Sequence, residues 1–122
     1  MTDPTIRTIA MIVPDWLQKS LAVLLNSLTG FRLVGTASSV DELLLGEISP
    51  GPDIILLDVP KDVTRGREEL TRLKSNWPEA YYITVVSKTK DCAYMLAHGA
   101  DKALIKGVPP DVLVQALSQY QE

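Results

Sequence analysis

The chain of 122 residues has one cysteine and one histidine, and each scarcity removes a class of chemistry. A lone Cys92 excludes an intrachain disulfide and any cysteine-based metal cluster; it reads as an inert, buried or half-buried thiol. A lone His98 lies late in a short helical stretch with no serine or cysteine elbow beside it, which leaves no nucleophile and base for hydrolysis. It reads as a surface residue near a helix C-terminus. Long apolar runs are missing as well. No stretch reaches the roughly 18 residues of a membrane span, and the opening MTDPTIRTIA has no signal-peptide core. The expectation is a cytoplasmic protein without membrane contact. Basic runs are also missing, and with a net charge of -3 and a pI near 5.1 this segment lacks the electrostatic footprint of direct nucleic-acid binding. Neither G-x-G-x-x-G nor G-x-x-x-x-G-K-[ST] occurs. The turn VPDWLQKS lacks the hydroxyl- and glycine-rich loop that a flavin phosphate needs at a helix N-terminus.

What is present suffices for one compact soluble domain over residues 1–122, at 46% hydrophobic and 22% charged. Residues 6–13 (IRTIAMIV) are apolar and partly β-branched, and Leu17, Leu21, Leu24, Leu25 and Leu28 follow at helical spacing, closed by Gly30. FRLVG at 31–35 reads as a short strand, and Ser39-Val40-Asp41-Glu42 has the form of a capping box ahead of Leu43, Leu44 and Leu45. A buried strand over 53–58 precedes a helix whose face holds Leu70, Leu73 and Trp77 and which ends before Pro78. Residues 81–87 form the next expected strand, 91–98 a short helix and 102–106 the last strand. Pro109-Pro110-Asp111 opens a helix with Val112, Leu113, Ala116, Leu117 and Tyr120 on one face. Five strands alternating with five helices imply an α/β fold, a doubly wound (βα)5 sandwich around a parallel five-stranded sheet.

In such a sheet the ligand crevice lies beyond the carboxyl ends of the strands, where Asp58, Ser87 and Lys106 all fall. The run PDIILLDVP stops on Asp58, and a carboxylate at the end of a buried strand is costly unless paired. A carboxylate, a hydroxyl and an ammonium on neighbouring strand ends could hold a phosphoryl group, with Asp58 as acceptor and Ser87 and Lys106 binding its oxygens. The plainer alternative is a buried Asp58–Lys106 ion pair without chemistry.

GFRLVGTASSVDELL, PDIILLDV, Gly66 eight residues past Asp58, and HGADKALIKGVPPDVLVQAL together resemble, in order and spacing, the receiver domain of bacterial two-component response regulators. This is the CheY-like superfamily, and the pattern is closest to the NarL/FixJ type. The resemblance implies a flavodoxin-like receiver fold without enzymatic activity of its own. It makes Asp58 the phosphoacceptor position, Ser87 the switch hydroxyl, with Val86 as the alternative, and Lys106 the phosphate-binding lysine. The acidic pair that holds Mg²⁺ in receivers falls on Ile12 and Val13, so both metal ligands are hydrocarbon; Asp15 reads as a helix-start charge or cap. The switch aromatic falls on Ala103, and the segment from Ser87 to Gly99 is short by about a turn of helix. The implied function is a degenerate, or pseudo-, receiver: a regulatory protein-interaction module with no metal or other cofactor. The alternative is a working receiver phosphorylated on Asp58 with Mg²⁺ by a histidine kinase and controlling a DNA-binding output domain. A small flavodoxin-like enzyme or ligand-binding protein is a third reading, disfavoured by the missing phosphate loop. Expected partners are a kinase, an output domain or a second copy, docked through helix four, strand five and helix five. Lys102, Ala103, Leu113, Leu117 and Tyr120 are the candidate contacts there, although several of the helix residues must face the core instead.

Overall fold

The computed structural model describes residues 6–120; of the segment used to exclude a leader, residues 1–5 lie outside it. Strands β1 (Arg7–Ile12), β2 (Phe31–Ala37), β3 (Ile54–Asp58), β4 (Tyr81–Val86) and β5 (Lys102–Ile105) alternate with helices α1 (Asp15–Ser27), α2 (Val40–Leu45), α3 (Val63–Asn76), α4 (Thr89–Ala97) and α5 (Pro110–Ser118). All paired strands are parallel, in the order β2-β1-β3-β4-β5. This is the doubly wound topology expected from the alternation, with strand order reversing at β1 and β3.

The inner strands are apolar throughout because each is covered on both faces. Alternate residues of β1 and β3 divide between two cores. Ala10, Ile12, Ile55 and Leu57 pack towards α2, α3 and α4, and Ile9, Met11, Ile54 and Leu56 pack towards α1 and α5. At the opposite end of the sheet from the crevice, Asp53 ties β3 to β1. Its carboxylate accepts from the Thr8 amide at 2.9 Å and from the Thr8 hydroxyl at 3.2 Å. Thr84, the one buried polar side chain among the described residues, donates from its hydroxyl to the Lys102 carbonyl at 3.0 Å, which satisfies the group inside the sheet.

Helix starts follow their local chemistry. Ser39 caps α2 by accepting from the Glu42 amide at 3.1 Å, but the Glu42 carboxylate takes the Ser38 amide and hydroxyl instead of the cap's own amide. The capping box is therefore shifted by one residue on its return arm. Asp62 caps α3 through the Thr64 amide at 3.1 Å, and Pro110 occupies the first turn of α5. Gly66 lies buried in α3, where an added Cβ would clash with Cγ1 of Val59. Only glycine lets α3 approach the β3 end so closely.

Several expectations need correction. Gly30 does not terminate α1, which stops at Ser27. With φ of 90° it forms the turn that launches β2. Helix α4 starts two residues before the expected Asp91, at Thr89, and His98 is its C-cap. On α5, Leu113 and Leu117 are buried. They face the sheet and are not available as docking contacts, because the same apolar stripe that suggests a contact surface is what the core requires. Tyr120 is half-buried, packed edge-on to Tyr81 with Arg7 over its ring. Of the α1 leucines expected in the core only Leu25 is fully buried; Leu17, Leu21, Leu24 and Leu28 remain partly exposed.

Candidate functional site

The site forms at the carboxyl ends of β1, β3 and β5, with β4 between the last two. Asp58 is the last residue of β3 and pairs across the sheet with Val85. Lys106 follows β5, its amide held by the Val86 carbonyl at 2.8 Å. The lysine chain reaches back over the sheet edge and places Nζ 3.3 Å from Oδ1 of Asp58 and 3.1 Å from the carbonyl oxygen of Val59, to which it donates. The two residues are 48 positions apart in the chain and meet because both follow the ends of parallel strands.

The pair is uneven electrostatically. The Asp58 side chain keeps 19% of its surface exposed and the Lys106 side chain 37%. Loss of solvation raises the Asp58 pKa above its ordinary value, and the attraction and hydrogen bond from Lys106 offset this only in part. The charge of Asp58 also contributes to raising Glu69 on α3, whose own burial is the larger cause.

The other site residues expected from the sequence fall around this pair without joining it. Ile12 ends β1 and Val13 follows it; at 4% and 3% exposure both are part of the packed interior. They lie on opposite sides of the sheet, Ile12 with the α2–α4 core and Val13 with the α1–α5 core. Ser87 is exposed just past the end of β4, in the turn before α4. Neither Asp58 nor Lys106 hydrogen-bonds it, and Val86, the alternative, is buried in the core. Ala103 is half-buried in β5 beside Thr84, and its methyl carries no ring that could turn between positions. Asp15 is exposed at the first turn of α1, where Gln18 donates to it at 3.4 Å and to the Val13 carbonyl at 3.0 Å. The Cys92 thiol is half-exposed, and burial together with the neighbouring Asp91 raises its pKa, the direction of an unreactive thiol.

These residues do not suit Mg²⁺, which requires near-octahedral oxygen ligation. Around Asp58 stand two buried aliphatic side chains and an ammonium, and the nearby Val59 carbonyl is already occupied by that ammonium. Among the described residues no three histidine, cysteine or carboxylate side chains come together as a metal site.

One part of the site had no signal in the sequence. The Val59 carbonyl is a second anchor for Lys106, and backbone acceptors leave no residue-type trace. Beside the pair, α1, α5 and the sheet border an apolar cavity of about 550 Å³, partly open to solvent, that reaches Asp58 and Lys106.

Comparison with known proteins agrees with the fold. No protein-family model matches the chain. It is 26% identical over 122 residues to the "Probable C4-dicarboxylate response regulator DctR" of Halalkalibacterium halodurans, covering 98% of this chain and 53% of that protein. It is 31% identical over 101 residues to the transcriptional regulatory protein CitT of Bacillus subtilis, covering 81% of this chain and 45% of that one. The chain thus spans about half the length of the curated relatives it matches. Among solved structures, a LuxR family DNA-binding response regulator from Silicibacter pomeroyi superposes with a TM-score of 0.75 at 28% identity, over 93% of this chain and 89% of its own. The chain has the CheY-like receiver fold and is similar in sequence to the response regulators above. No helix among the described residues is long and apolar enough to cross a membrane.

Proposed function

We propose that the domain is a degenerate receiver: a cytoplasmic regulatory module that signals through protein contacts and does not undergo Mg²⁺-dependent phosphorylation. One observation carries this reading. The strand end beside Asp58 presents the buried aliphatic side chains of Ile12 and Val13, and the charge that Asp58 meets is the Lys106 ammonium at 3.3 Å. In this reading Ile12 and Val13 stand at the acidic-pair positions, Ala103 at the switch-aromatic position, and Asp58, Ser87 and Lys106 keep the phosphoacceptor, hydroxyl and lysine positions. A buried aliphatic side chain can neither ligate Mg²⁺ nor hydrogen-bond its waters. Without a cation, the negative charge of an incoming phosphoryl group meets only one lysine. The partners are proteins: a kinase or output domain, or a second copy, approaching α4, β5 and α5 with Lys102 and Ala103 on the accessible strand edge. Because CitT is a transcriptional regulatory protein and the match covers 45% of it, an output domain controlling transcription is the proposed target.

Incubation with acetyl phosphate, with and without Mg²⁺, followed by intact mass measurement tests the reading. The expected result is no phosphoryl adduct in either case. An adduct that forms on Asp58 only when Mg²⁺ is present replaces the proposal with a working phosphoacceptor receiver. That second reading draws on the partial exposure of Asp58 and its proximity to Lys106.

A further inference from the structure

We propose that the cavity between α1, α5 and the sheet is a binding site for a small neutral amphipathic molecule, one with an aliphatic or aromatic body and a single hydroxyl or carboxamide head. The inference goes beyond the signalling role and concerns the chain with Asp58 unmodified, since a phosphoryl group on Asp58 would occupy the polar end of the cavity.

The volume of about 550 Å³ lies in the range of about 300–1,000 Å³ that drug-sized ligands occupy. Its floor is Leu56 and Val85 of the sheet, and its walls include Leu17 and Leu21 of α1, Leu104 of β5 and Leu113 of α5. The leucines of α1 point at this space yet stay half-exposed, because no side chain fills the gap in front of them. Trp16, at 79% exposure, and Val108, at 37%, also border the cavity and are left open to water. An apolar body placed there would remove this surface from solvent.

The head is set by the Asp58–Lys106 pair, which forms the polar end of the cavity. Lysine has three N–H donors, and two are directed at Asp58 Oδ1 and the Val59 carbonyl. One donor and the second carboxylate oxygen remain. A hydroxyl or carboxamide can accept from the first and donate to the second. A carboxylate head would face Asp58, and an ammonium head would face Lys106, so both ionic classes meet a like charge.

N-phenyl-1-naphthylamine, a neutral naphthyl probe whose fluorescence rises in apolar surroundings, tests the site on the intact chain. Saturable uptake of one probe per chain is expected, with energy transfer from Trp16 at the mouth. Octanamide should displace the probe at least fivefold more tightly than octanoate or octylamine. Leu104→Trp, which fills the cavity, should abolish uptake, with its melting curve monitored as a check on folding; should that variant not fold, Ser20→Trp at the rim of α1 should weaken uptake about tenfold. The proposal is overturned if the wild-type chain shows no saturable uptake, if a folded filling variant binds as the wild type does, or if octanoate or octylamine competes as well as octanamide.

Discussion

Asp58 and Lys106 form a contact whose energy depends on which partner is removed. Substituting Lys106→Met leaves a half-buried carboxylate without its cation, whereas Asp58→Asn removes the charge that resists burial. Lys106→Met should therefore be the more destabilising of the two, and a double-mutant cycle should give a coupling of roughly 0.5–1 kcal/mol for this partly exposed pair. A coupling of zero in urea melts would mean that the two groups do not interact. The pH dependence has a definite sign. The folded-state pKa of Asp58 lies above its ordinary value, so the folded protein holds the proton more tightly than the unfolded chain. The destabilising cost of the buried charge is complete above the folded pKa, and it fades as pH falls through that value towards the unfolded one. Asp58→Asn should abolish this component in melts recorded across the acid range. Gly66 bears on the same contact through Val59. In Gly66→Ala the new methyl meets Val59 Cγ1 and should cost about 1–3 kcal/mol. It should also push away the carbonyl that anchors Lys106, so the variant should weaken the Asp58–Lys106 coupling. Retention of full stability would show that α3 can retreat.

At the level of elements, the helices differ in how securely each is held. The Ser39 cap serves a helix of only six residues, so Ser39→Ala should cost about 1 kcal/mol in a thermal melt. Ser38 already engages the Glu42 carboxylate, and the hydrogen bonds it supplies hold the Glu42 pKa below its ordinary value. Strand β5 has only four residues, all half-buried, and lies at the sheet edge. Helix α5 beside it is separated from α1 by the cavity. Amide hydrogen exchange should therefore release β5 and α5 before β1, β3 and β4, whose residues fill both cores. Equal protection of all five strands would contradict this order.

For the whole molecule, the decisive measurement is the response to Mg²⁺. A cation bound only by the folded state at ten times its dissociation constant would add about 1.4 kcal/mol and several degrees of melting temperature. The expected shift here is none at millimolar Mg²⁺. Ile12→Asp with Val13→Asp should lower stability by several kcal/mol, on the order expected for charges placed at buried positions, and should bring a dependence on Mg²⁺ that the parent lacks. A parent protein that gains several degrees from Mg²⁺ would contradict the degenerate reading.

The alternation of elements and the approximate extent of each strand were legible in the sequence, because period-2 and period-3.6 apolar patterns are local properties of the chain. Asp58 and Lys106 stood out for a related reason: each follows an apolar strand, and parallel topology brings strand ends together. Tertiary structure alone decided the rest. The one-residue shift of the capping box depended on the path of the backbone into α2, and the second anchor of Lys106 is a carbonyl, which no residue type announces. Which α1 leucines are covered was set by how far α5 stands from α1. A helical stripe records which side of a helix is apolar, but only the packing of distant segments determines whether that side meets protein, solvent or an open cavity.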